Sequence, residues 1–77
     1  MNTGIQVYRK LEYFYKNKRA IHFCLVKGGW KNGLIIDLNE NKLTLVLKDF
    51  VDGTLPFLLE EIDVNTIEEF RERKEWK

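Results

Sequence analysis

The chain has a single cysteine, Cys24, so no disulfide can form within it. It also has a single histidine, His22, without the partner spacing of a structural metal site. No Ser/His/Asp set and no phosphate-binding Walker loop is present, so neither an enzyme nor a cofactor is expected. No apolar run reaches membrane-spanning length, and the first residues carry no signal-peptide pattern. An excess of one charge is missing too: 13 Lys and Arg against 12 Asp and Glu leave a net charge of +1. Without the broad positive field of a typical nucleic-acid binder, any such binding needs a local patch. Cys24 sits in an apolar run and reads as a buried, inert thiol, which fits a reducing, cytoplasmic setting.

What is there is apolar. Hydrophobic residues make up 44% of the 77 and aromatics 13%, too many for a disordered chain. The length is that of one domain, residues 1–77. A domain this small buries a modest fraction of its surface and needs a staple. With disulfide and metal set aside, the staple expected is association with further copies.

The organising stretch runs from Ile21 to Leu47. It holds three β-branched-rich runs, Ile21–Val26, Leu34–Leu38 and Leu43–Leu47, separated by Lys27-Gly28-Gly29 and Asn39-Glu40-Asn41-Lys42. Short apolar runs between turn formers read as an antiparallel meander. In the first run Ile21, Phe23 and Leu25 alternate with His22, Cys24 and Val26, and both faces are apolar enough to be covered. His22 therefore reads as a packed or hydrogen-bonded neutral imidazole, and a helix is the natural second cover. Gly33 inside the second strand marks a bulge, a bend or a close backbone approach.

That helix is predicted over residues 3–17. Thr3 can cap it, and Val7, Tyr8, Leu11, Phe14 and Tyr15 form its buried stripe, with Tyr13 left between packing and base stacking. Lys16, Lys18 and Arg19 are the only basic cluster. They are either a solvated helix end, where the macrodipole favours cations, or a phosphate contact.

Downstream, the third strand is predicted from Leu43 to Phe50, and Val51-Asp52-Gly53-Thr54 is a turn. Pro56 opens the fourth strand, carried by Phe57, Leu58 and Leu59. Glu60-Glu61-Ile62-Asp63 reads as a one-turn corner. Residues Val64–Phe70 suit a fifth strand, although Thr66 with Glu69 three residues on also has the spacing of a helical capping box. The strand is preferred because four strands leave a barrel open; residues 72–77 then form a charged tail, with Trp76 unassigned. Asp37, Asp49, Asp52, Glu60 and Glu61 read as charged surface. The predicted fold is mainly β: an N-terminal helix, then a small, strongly bent five-stranded antiparallel barrel over residues 20–71, of Sm-like or SH3-like type.

Helix-then-five-strands is the element order of the Sm-like (LSm) family, and residues 21–47 resemble its first motif. Gly28 and Gly33 stand at the two motif glycines, with Leu25 before and Ile35 after. Leu38-Asn39 occupies the place of an aromatic followed by Asp. Leu43-Thr44-Leu45 occupies that of an apolar-Asn-apolar triplet, with one extra residue intervening. The second motif, with its Arg-Gly turn, is absent; Glu60-Glu61-Ile62-Asp63 stands there instead.

The resemblance implies a homo-oligomeric ring, strand four of one copy pairing with strand five of the next, that binds single-stranded RNA at its pore. It places Asn39, Asn41, Lys42 and Asn65 as the polar groups facing RNA, with Lys16, Lys18 and Arg19 as a helix-side patch. No aromatic or guanidinium plane accompanies the Asn39–Lys42 turn. The alternative expectation is a barrel of the same kind that assembles, or docks on protein, without RNA. No membrane and no small-molecule substrate are expected as partners.

Overall fold

The computed structural model describes residues 4–71, so the Thr3 cap and the tail with Trp76 lie outside the described residues. The helix, α1, spans Gly4–Lys16. Five strands follow: β1 (Ile21–Cys24), β2 (Trp30–Asn39), β3 (Thr44–Asp49), β4 (Gly53–Leu58) and β5 (Glu68–Glu69). Single-turn 3-10 helices at Leu59–Glu61 and Val64–Thr66 join β4 to β5. The predicted meander is present: β1, β2, β3 and β4 pair antiparallel in chain order, and β1 also pairs with β5.

The sheet is open, in the order β4-β3-β2-β1-β5, where a closed barrel is expected from the sequence. Among the described residues no ladder joins β4 to β5. The cause is local. Asp63 Oδ1 accepts the Asn65 N–H at 3.1 Å, and the Thr66 hydroxyl donates to the Asp63 carbonyl at 2.7 Å. Such short-range bonds compete with a ladder, and they wind Val64–Thr66 into a turn, so β5 is shorter than the predicted Val64–Phe70 strand. The Asp63 N–H nevertheless reaches the Cys24 carbonyl at 2.9 Å, and the Val26 N–H reaches the Glu61 carbonyl at 2.7 Å. These bonds curl the corner against β1.

One face of the sheet is the core. Ile21 and Phe23 of β1 meet Leu45 and Leu47 of β3, and α1 adds Val7 and Leu11 to the same cluster. Tyr8 and Phe14 pack partly against it, while Tyr13 and Tyr15 are exposed. Because α1 joins the face already served by Ile21 and Phe23, it does not give β1 its expected second cover. His22 and Cys24 point to the other face and are only half-buried.

Gly33 is a close backbone approach: a Cβ there would lie 2.2 Å from the Lys48 carbonyl oxygen. The bulge falls further on, between Ile35 and Asp37. Leu43 takes a left-handed φ of 53° and ends the β2–β3 turn, so β3 begins one residue later than the pattern predicts.

Pro56 lies within β4 opposite Val46, three residues after the strand begins. The Leu59 N–H donates to the Leu43 carbonyl at 2.9 Å, which fixes the alternation and turns the nitrogens of Thr54, Pro56 and Leu58 outward. Proline therefore costs the ladder nothing. Leu58 donates its outward N–H to Glu61 Oε1 at 3.1 Å. The border of β4 keeps its carbonyls and few free amides, a known guard against unwanted pairing.

Asp49 is no surface carboxylate. It is 7% exposed and accepts N–H groups from Val51 and Asp52, both at 2.9 Å, and from Asn32 at 3.3 Å. The Asp52 N–H, and after it those of Val51 and Asn32, hold its carboxyl below the ordinary value of 3.8 against the opposing pull of burial. One side chain thus closes the β3–β4 turn and ties it to β2.

Candidate nucleic-acid interface

The residues predicted to face RNA fall into separate groups. The Asn39–Lys42 turn lies at the N-terminal end of α1, where Gly4, Lys42, Leu43, Leu58 and Glu60 line a cleft of about 220 Å³. Lys16, Lys18 and Arg19 lie past the other end, a helix length of roughly 18 Å away. Asn65 is beside the middle of α1, whose Lys10 Nζ donates to the Val64 carbonyl at 3.2 Å. The fold does not gather these residues into one site.

Several of them are already engaged. Asn39 Oδ1 accepts the Lys42 N–H at 2.9 Å, so that carbonyl closes its own turn. Lys16 pairs with Glu12 at 3.1 Å, one helical turn back, and Arg19 pairs with Glu69 at 3.2 Å. Exposed pairs of this kind contribute little to stability, but they do lower the charge on offer to a phosphate. Asn41, Lys42 and Asn65 are exposed. Glu60 shares the cleft of Lys42, which places an acidic group beside that cation.

Lys18 is the exception. It follows α1 with a left-handed φ of 54°, and its side chain joins Lys48 of β3 around a cleft of about 550 Å³. Tyr15, Leu34 and Ile36 supply the apolar wall. Leu34 and Lys48 face each other across β2–β3, so the cleft continues onto the outer face of the sheet. Neither lysine has a carboxylate within ion-pair distance among the described residues. Two uncompensated cations beside a ring and an aliphatic wall can hold a phosphate and the base next to it.

The same outer face carries exposed rings that the sequence reading leaves unassigned: Trp30 at the start of β2 and Phe50 just after β3, with His22 and Phe70 between them. Their alternation with core residues is the signal that could have found them, since His22, Trp30 and Asn32 all oppose the buried parity of Ile21, Phe23 and Gly33. Among the described residues no group of three or more His, Cys, Asp or Glu side chains is arranged to hold a metal ion, and no helix there is long and apolar enough to cross a membrane.

No family model matches the chain, and no solved structure matches it. It is similar to the COPII coat assembly protein SEC16 of Debaryomyces hansenii, at 38% identity over 58 residues. The match covers 73% of this chain and 3% of that protein, so the chain spans a small fraction of the relative's length and no family follows from the match.

Proposed function

We propose that the chain is a non-catalytic, Sm-like, ring-forming protein that binds single-stranded RNA. The observation that carries this reading is the strand order. It leaves β4 and β5 as the two borders of one curled sheet, the pair of strands through which Sm-like proteins join neighbour to neighbour. A domain of this size with two unpaired borders gains stability by joining copies of itself, and unlike borders close into rings. The first-motif residues support it: Gly28 has a positive φ of 105° in its turn, and Gly33 admits no side chain.

Support for RNA comes from Lys18 and Lys48 across their shared cleft. Replacing either lysine with alanine is expected to weaken binding about equally for oligouridine and oligoadenosine. Each substitution should also lower the salt slope by about 0.7. A filter-binding titration over a salt series checks this, and an unchanged slope in both variants removes the cleft from the RNA path.

A second reading is assembly without RNA, and a specific observation favours it. Lys16 and Arg19 are neutralised by Glu12 and Glu69, and Glu60 lies beside Lys42. Light scattering and homopolymer RNA retention at two salt concentrations separate the readings. The expected result is a mass several times that of the chain, with retention that falls as salt rises. A monomer overturns the ring; a ring that retains no RNA at low salt leaves assembly alone.

A further inference from the structure

Four rings form a continuous row on the outer face of the sheet, brought together from positions far apart in the chain. Trp30 and His22 have centroids 5.2 Å apart, His22 and Phe70 6.3 Å, and Phe70 and Phe50 5.5 Å. The backbone holds them in place. The Phe50 N–H donates to the Asn32 carbonyl at 2.9 Å, and the Phe70 N–H to the Ala20 carbonyl at 2.8 Å. Trp30 is 55% exposed and Phe50 54%, so the row is open at both ends.

One flank is cationic. Lys48 shares its cleft with Lys18, whereas Arg19 and Arg71 are tied to Glu69, which pairs with Ile21 and so belongs to the opposite face of the sheet. Lys48 is on the same face and without an ion pair among the described residues. Glu68 is the carboxylate turned to the row, and His22 Nε2 lies 3.3 Å from its Oε1. Planar faces in series, bordered by cations, match unstacked bases joined by phosphates. An apolar protein surface would instead strip water from Lys48 and Lys18 without returning a charge.

We propose that this row is a base-stacking track for single-stranded RNA, with phosphates on Lys48 and Lys18. It rests on the RNA reading above and places the stacking energy on the sheet face, away from the Asn39–Lys42 turn. The track is sequence-tolerant, because every base has a stacking face.

The test is Trp30→Ala with Phe50→Ala, titrated with oligouridine and oligoadenosine over a salt series. Removing two stacking planes is expected to weaken binding by about 30-fold or more, with the salt slope unchanged because no phosphate contact is lost. A second measurement does not depend on how well that variant folds. In a Trp76→Phe background Trp30 is the only tryptophan, and its emission should be quenched as RNA is added. Wild-type affinity in the double variant, or Trp30 emission unmoved at saturating RNA, overturns the track while leaving RNA binding intact. Failure of the wild-type chain to hold RNA at low salt overturns the RNA reading, and the track with it.

Discussion

Gly33→Ala is expected to lose most of the stability of the fold. The methyl group would meet the Lys48 carbonyl oxygen at 2.2 Å, with the Lys48 carbonyl carbon at 2.8 Å and Asp49 Cα at 2.9 Å. All three are backbone of the paired strand, and none can rotate aside. Relief requires β2 and β3 to part at the point where Gly33 pairs with Asp49, which opens the central ladder. Overpacking typically costs 1–3 kcal/mol when side chains can yield; against fixed backbone we expect about 3 kcal/mol or more. For a domain of this size that lowers Tm by at least about 12 °C. Gly28→Ala is the matched comparison, since nothing lies within 4 Å of a Cβ there and only the φ of 105° opposes the change. Its cost should be about 1–2 kcal/mol. Thermal denaturation followed by circular dichroism decides the matter: if the two variants melt together, the close approach at Gly33 is not what fixes the glycine.

Asp49→Ala should cost nearly as much, by a different route. It leaves the N–H groups of Asn32, Val51 and Asp52 without the acceptor that holds the β3–β4 turn. Hydrogen bonds to a charged group contribute about 1.5–3 kcal/mol each, and an unsatisfied buried donor costs about 1–3. Water can reach part of the turn, so a net loss of about 3 kcal/mol is expected. Asp49→Asn keeps one oxygen and should lose less. The acid dependence has a definite sign. The folded carboxyl titrates below its ordinary value of 3.8. Its contribution is therefore complete above that value and disappears as pH falls through the lower, folded one. Urea midpoints for wild type and Asp49→Asn should differ by a constant amount above pH of about 5 and converge below about 4. A gap that widens in acid contradicts the assignment.

Gly33 and Asp49 also mark how far the residues speak for themselves. A glycine among Asn32, Leu34, Ile35 and Ile36 announces a backbone constraint, and period-two alternation gives β1 to β3 with the correct pairing. The kind of constraint at Gly33 is not legible, because it depends on which carbonyl of β3 lies opposite. Asp49 looks like any charged residue at a strand end; its burial follows from a register that places three amides around it. The rule that a ladder needs its N–H puts Pro56 at the start of β4, and the rule gives way on a border strand whose nitrogen faces outward. Barrel closure failed on Asp63 and Thr66, whose side chains offered the backbone a nearer partner than β4. The cleft of Lys18 and Lys48 was half visible. Lys18 stands in the basic cluster with Lys16 and Arg19, but Lys48 is far along the chain and joins it only through the β2–β3 pairing.

The outward border of β4 has a consequence for symmetry. Pro56 offers no amide there, and the amide of Leu58 is occupied by Glu61. Two molecules meeting β4 to β4 about a twofold axis would have only the Thr54 amide of each to offer the other's carbonyls. A strand with amides to spare would suit this border better, and a contact of that kind would join unlike surfaces and have a direction. If copies of the chain join as proposed, each added one would be turned the same way as the last, and the chemistry of one short border would favour a rotating array over a twofold pair.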